Sequence, residues 1–154
     1  MKQIQIYTDG ACSYNPGPGG WGAILIYKNV EKVISGGEAN TTNNRMELLA
    51  VINALKILKE RCEVTLYSDS AYVVNAVLND RLFQWFQAGW KTNDKKPVKN
   101  QELWEELLKM LSFHSVTFVK VKGHADNEYN NRCDKLARNE IKKITTQLNT
   151  DTLA

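Results

Sequence analysis

The spacing of hydrophobic residues changes at about Thr42, and that change constrains the fold more than any other feature of the chain. Before it, apolar and polar residues alternate. Residues 3–9 (QIQIYTD) place Ile4, Ile6 and Thr8 on one face, residues 21–27 (WGAILIY) form a second, mostly apolar stretch, and residues 33–39 a third. A period of two is the signature of strands. The glycines and prolines of GACSYNPGPGG, between the first two stretches, predict a turn. Connections this short favour an antiparallel meander, with the Gly36-Gly37 pair as a candidate bulge.

From about residue 42 to 58 the apolar residues (Met46, Leu49, Ala50, Ile52, Ala54, Leu55, Ile57, Leu58) fall at helical spacing, with Thr41 or Thr42 as N-cap. Short strand-like runs then alternate with helices. Residues 63–67 read as a strand, Ser68-Asp69-Ser70 caps a helix to about Leu78, and residues 82–87 form a short helix. Asn100 caps a helix to Leu111, residues 116–121 are a strand, and residues 127 to about 143 form a closing helix. Strands separated by helices imply parallel pairing across right-handed crossovers. The expectation is therefore α/β: a mixed five-stranded sheet, three antiparallel strands then two parallel ones, flanked by helices. One domain spans residues 1–143, and residues 144–154 are expected to be a polar, disordered tail.

The bulk numbers fit this. The chain has 154 residues, enough for one self-sufficient core, with 43% hydrophobic and 24% charged residues. No apolar run approaches the ~20 residues that span a bilayer. The N-terminal residues are not expected to form a secretory leader. The net charge of +3 excludes a histone-like protein but not a local basic patch. Three cysteines, Cys12, Cys62 and Cys133, offer neither a disulfide framework nor zinc spacing, and point to a reducing cytoplasm.

Asp9 closes the first predicted strand and Asp69 the fourth. If those strands are parallel neighbours, both carboxylates emerge at one sheet edge, where open α/β sheets bind ligands. Glu47, early in the first helix, and Asp134, early in the last, can join them. Taken singly, an Asp before Gly is a turn residue, an Asp between serines a cap residue, and a helical Glu a solvated one. Together, crowded carboxylates need a compensating cation, and oxygen-only ligands select hard ions such as Mg²⁺ or Mn²⁺. Such a site suits phosphodiester chemistry.

Five segments, IYTDGACSYNPGPGGWGAIL, TTNNRMELLA, LYSDSAYVV, GWKTNDKKPVKNQELW and VKGHADNEYNNRCDKLAR, resemble the ribonuclease H family, most closely its bacterial type 1 members, and occur in the family's order. The resemblance implies a ribonuclease H-like domain with a basic handle protrusion. It also implies endonucleolytic hydrolysis of the RNA strand of RNA–DNA hybrids with two Mg²⁺ ions (Mn²⁺ as a substitute), leaving 5′-phosphate and 3′-hydroxyl ends. It assigns Asp9, Glu47, Asp69 and Asp134 as metal-binding catalytic acids and His124 as a catalytic loop histidine. His114 has no motif around it and reads as structural.

Substrate contacts follow the same resemblance. Asn15, Thr42, Asn43 and Asn44 carry neutral donors and acceptors suited to 2′-hydroxyls and base edges in a wide minor groove. Lys91, Lys95, Lys96 and Lys99, with Trp85 and Trp90 beside them, form the expected handle, whose lysines would neutralise phosphates. Two departures bear on affinity: RLFQWFQAGW carries a single cation, Arg81, and Ala71 has no polar side chain. The alternatives are a hybrid- or duplex-binding module without catalysis, or another metal-dependent nuclease on the same fold. A monomer without obligate protein partners is expected.

Overall fold

The computed structural model of the chain describes residues 1–122 and 127–153. The first three strands, β1 (Lys2–Cys12), β2 (Gly17–Tyr27) and β3 (Val30–Thr41), form the antiparallel meander. Helix α1 (Asn43–Ile57) leads to β4 (Cys62–Ser68). Helices α2 (Ala71–Leu78), α3 (Arg81–Gln87) and α4 (Gln101–Phe113) precede β5 (Ser115–Lys120), and α5 (Glu128–Leu153) closes the chain. The sheet order is β3-β2-β1-β4-β5, with β1, β4 and β5 parallel, as the alternation of strands and helices requires.

Strand alternation separates two faces. Ile4, Ile6, Val64, Leu66 and Phe118 point to one side and pack against Leu48, Val51, Ile52 and Leu55 of α1 and Trp104 and Leu107 of α4. Because α1 lies between sheet and α4, its buried surface is broad and takes in Met46, Ala50, Val51 and Ala54 as well. Thr42 is the N-cap, its hydroxyl accepting from the Arg45 amide at 3.3 Å, while Thr41 ends β3. Lys56 pairs with Glu106, tying α1 to α4.

Several expectations are corrected. The glycine-rich segment contains a turn of only residues 13–16. Strands β1 and β2 run on either side of it, and Gly19 and Gly20 are paired strand residues, as is Gly22 of the expected second strand. Their lack of side chains serves α5, which crosses this face: a Cβ at Gly20 would lie 2.1 Å from the Ala137 carbonyl oxygen, and one at Gly22 2.6 Å from Leu136 Cβ. Gly36 and Gly37 are no bulge either. They pair in register with Trp21 and Gly20, and the register shift falls between Gly17 and Gly19. Asn100 precedes α4 in a left-handed conformation, and its side chain donates to the Tyr72 hydroxyl instead of capping the helix.

The last helix does not stop near Lys143 but continues to Leu153. Nothing in TTQLNTDTL breaks a helix. Thr150 donates to the Thr146 carbonyl and Gln147 to Asp151, and Ile144 lies over Gly37 at the β3 edge. The polar segment from residue 144 is thus helical rather than disordered through Leu153.

Candidate active site

Pairing of β1 with β4 ends at Tyr7 and Tyr67. Asp9 and Asp69 each stand two residues beyond that last pair, where the strands part. Contrary to expectation, Asp9 does not end its strand, because β1 continues to Cys12 along β2 alone. Asp69 follows Ser68, whose hydroxyl accepts from the Ser70 amide, and Ser70 caps α2. The parallel register therefore places both carboxylates at one sheet edge, as the sequence implied.

Glu47 reaches the same place from the first turns of α1. Its Oε1 accepts from the Gly10 amide at 2.7 Å. Helix α1 comes this near because Gly10 has no side chain: a Cβ there would lie 2.6 Å from the Glu47 nitrogen. One ligand oxygen each from Asp9, Glu47 and Asp69 lies within 4.8 Å of the others. Asp134 is not part of that cluster. It lines the same cleft of about 480 Å³, but Arg138, one turn later on α5, holds its carboxylate at 2.8 Å.

Burial makes these charges costly. Asp9 is 6% exposed and Glu47 5%. Desolvation pushes the Asp9 carboxyl up to about 7, and the charges of Asp69 and Asp134 add to the rise. Glu47 is raised well above the usual carboxylate range, first by burial and then by the charge of Asp9. Its second oxygen, Oε2, is buried and receives no donor among the described residues. A buried acceptor without a donor, beside two more carboxylates, fits a hard divalent cation.

We expect Gly10→Ala to push α1 off the sheet edge and carry Glu47 with it. Activity should fall about 10–100-fold, and stability by about 1–3 kcal/mol. Steady-state cleavage rates and thermal melts check this; wild-type values in both would show that the contact is not needed.

The expected substrate residues divide. Asn43 and Asn44 line the acidic cleft with Ser70, Ala71 and Tyr72. Asn15 stands at the cleft's margin, its side-chain carbonyl accepting from the Asn43 amide at 2.9 Å, so what it can offer a substrate is its NH₂ group. Thr42 uses its hydroxyl as the helix cap. Farther off, Lys91, Lys95, Lys96 and Lys99 are exposed on a loop closed by a Lys91–Pro97 bridge and anchored by buried Val98. Trp85 and Trp90 face different clefts. Trp85 tilts against Trp104 at 5.4 Å and lines a cleft with Arg81 and Lys91, whereas Trp90 meets Phe86 edge-on and lines a separate apolar cleft with Leu108. His124 lies outside the described residues. His114 is buried, its Nδ1 accepting from the Cys62 amide, as a structural histidine should be.

Sequence reasoning missed Gly10 and Tyr72. Tyr72 lines the acidic cleft, and its hydroxyl takes donors from Trp104 Nε1 at 3.1 Å and Asn100 Nδ2 at 3.2 Å. Because Trp104 also touches Trp85, Tyr72 links the acidic cleft to the handle. The available signal was a tyrosine on the first turn of a helix capped by a cleft residue.

The model of the family described as RNase H matches residues 1–142. A protein of Acetivibrio thermocellus named Ribonuclease H is 66% identical over 143 residues, 93% of this chain and 97% of its own length. Another so named, from Chlorobaculum parvum, is 62% identical over 142 residues, 92% of this chain and 97% of the relative. Among solved structures, LC9-RNase H1, a type 1 RNase H with the type 2 active-site motif, superposes with a TM-score of 0.82 at 29% identity, covering 92% of this chain and 73% of that one. LC11-RNase H1 in complex with RNA/DNA hybrid gives a TM-score of 0.66 at 28% identity, covering 91% of this chain and 97% of that one.

Proposed function

Because the chain belongs to the RNase H family, we propose that Asp9, Glu47, Asp69 and Asp134 are the acids with which it hydrolyses the RNA strand of RNA–DNA hybrids. It is an endoribonuclease, and hybrid is its substrate. The observation that carries the assignment of the acids is the buried Asp9–Glu47 pair beside Asp69, with Glu47 Oε2 lacking a donor.

Asp9 and Asp69 would flank two divalent ions, with Glu47 and Asp134 each completing the shell of one. Mg²⁺ is the proposed ion, with Mn²⁺ as a substitute. Bound there, the ions supply Lewis-acid stabilisation of phosphate charge and lower the pKa of water. The protein's own contribution is placement. Gly10 fixes Glu47, the β1–β4 register fixes Asp9 against Asp69, and Arg138 restrains Asp134. The proposed products carry 5′-phosphate and 3′-hydroxyl ends, and His124 is proposed to handle protons during release.

Asn15, Thr42, Asn43 and Asn44 are proposed to contact the hybrid's sugar–phosphate backbone and minor groove beside the acids. Lys91 with Trp85, and more distantly Trp90, Lys95, Lys96 and Lys99, would hold the other strand's phosphates. The catalytic domain is proposed to span residues 1–143. The reading extends to a monomer in the reducing cytoplasm, which suits the free thiols of Cys12, Cys62 and Cys133.

The test is incubation with an end-labelled hybrid, with Mg²⁺ and with EDTA, beside single-stranded RNA, RNA duplex and DNA duplex. Cleavage of only the hybrid's RNA strand, lost with EDTA, is expected. Hybrid binding by folded protein without cleavage under Mg²⁺ or Mn²⁺ would replace this reading with that of a binding module.

A further inference from the structure

Three tyrosines stack in a column on the face of the sheet that carries α5. Tyr7 and Tyr67 lie side by side on β1 and β4, ring centroids 4.5 Å apart and planes 10° from parallel. Tyr129, in the first turn of α5, stacks on the other face of Tyr7 at 4.8 Å and 21°. The outer ring is braced in turn. The Tyr129 hydroxyl is hydrogen-bonded to Glu31 of β3, Arg132 pairs with the same carboxylate at 2.9 Å, and the Arg132 guanidinium lies 5.5 Å from the Tyr129 ring centroid. Just below, the Cys133 thiol donates to the Tyr7 carbonyl at 3.3 Å.

The position of each ring in the chain gives the column its meaning. Tyr7 stands two residues before Asp9, Tyr67 two before Asp69, and Tyr129 five before Asp134. Each ring belongs to a segment that delivers one carboxylate, and the fourth acid, Glu47, is held separately by Gly10. The strands are hydrogen-bonded to each other up to this level, but α5 is not part of the sheet. Among the described residues the first turns of α5 meet β1 through the Tyr129 ring and the Cys133 thiol, while Leu136 and Ala137 pack farther along on Gly22 and Gly20 of β2.

We propose that the Tyr67–Tyr7–Tyr129 column is a positioning device that sets the start of α5, and with it Asp134, against Asp9 and Asp69. The inference rests on the reading of these acids as metal ligands. None of the three rings lines the acidic cleft, so the column acts through the acids and not on the substrate. Stacking, rather than the hydroxyl of Tyr129, is what the device needs.

Tyr129→Ala and Tyr129→Phe test this beside the wild type. In Tyr129→Ala, the Mg²⁺ concentration for half-maximal hybrid cleavage should rise about tenfold, with KM for hybrid unchanged within about twofold. Calorimetric titration of substrate-free protein with Mg²⁺ and Mn²⁺ should show weakened binding for at least one ion. Amide exchange at residues 131–135 should accelerate by about tenfold or more as the helix start loosens. Tyr129→Phe keeps the ring and loses only the Glu31 contact, so it should match the wild type in all three. Wild-type metal dependence in Tyr129→Ala, or an equal loss in Tyr129→Phe, would overturn the proposal. If Tyr129→Ala does not fold, Tyr129→Leu, which covers the site without a ring, replaces it under the same criteria. A wild type that neither binds Mg²⁺ nor cleaves would count against the metal reading itself, which separates the two failures.

Discussion

Asp9→Asn should abolish cleavage and at the same time make the metal-free protein more stable. The first effect follows from removing one charged member of the proposed metal-binding cluster, whose other members are already fixed in place. Losing several kcal/mol of transition-state stabilisation corresponds to a rate at least about a thousandfold lower. The second follows from burial. The Asp9 carboxyl is raised to about 7, so the folded state binds a proton that the unfolded chain gives up near its ordinary value. A raised folded-state pKa means stability that is full at low pH and is lost as pH climbs from about 4 to about 7. Asparagine does not titrate and escapes that loss. Its advantage should be absent near pH 4 and reach about 2–4 kcal/mol above pH 7 without divalent ions. Mg²⁺ should raise the melting temperature of the wild type at pH 8 and leave that of Asp9→Asn nearly unchanged. Melts at pH 4 and pH 8, with and without Mg²⁺, check this. A variant less stable than the wild type at pH 8, or equally shifted at both pH values, would contradict it.

Gly20→Ala is the second change with a large expected effect, and it acts on the fold. The added methyl would lie 2.1 Å from the Ala137 carbonyl oxygen and 2.9 Å from Glu140 Cβ. The first of these is backbone, and no rotamer relieves it. Helix α5 must lift from β2, exposing Ala137 and Cys133, both fully buried. Destabilisation of about 3 kcal/mol or more is expected, near the upper end for overpacking. For a domain of this size that lowers the melting temperature by about 6–12 °C. Pairing it with Ala137→Gly should recover little, because the conflict is with the carbonyl and not with the alanine methyl. Full rescue by that pair would show that the helix does not approach as described.

Those glycines also show where the sequence stops being readable. Alternation and helical spacing reveal which segments are strands and helices, because each segment's own burial dictates its period. The placement of Asp9 beside Asp69 rested on the condition that β1 and β4 are parallel neighbours, which the sheet order meets. GPGG differs from its reading because glycine ordinarily marks a turn, and its reason for being in a strand is a helix more than a hundred residues later in the chain. The extent of α5 was misjudged because polar residues on an exposed helix look like a tail until they are seen joined turn by turn. Trp85 and Trp90 both flank the handle in sequence, yet the chain turns between them, through the left-handed Gly89 and Trp90, and sends them to different clefts. The tyrosine column was invisible for a simpler reason. In sequence its members are alternate residues of two strands and one residue of a helix, and only the β1–β4 register and the docking of α5 bring them together.

The parallel junction of β1 and β4 also orders events during synthesis. Asp9 leaves the ribosome early, but its neighbour Asp69 belongs to a strand that is synthesised only after the meander and α1. Asp134 comes later still, on the element whose docking completes the cleft. Parallel pairing across long loops is slow, and chains fold largely from the N-terminus as they emerge. A nascent chain ending at β5 thus holds Asp9, Glu47 and Asp69 without their fourth partner. On the proposed assignment of the acids, cleavage requires the last helix.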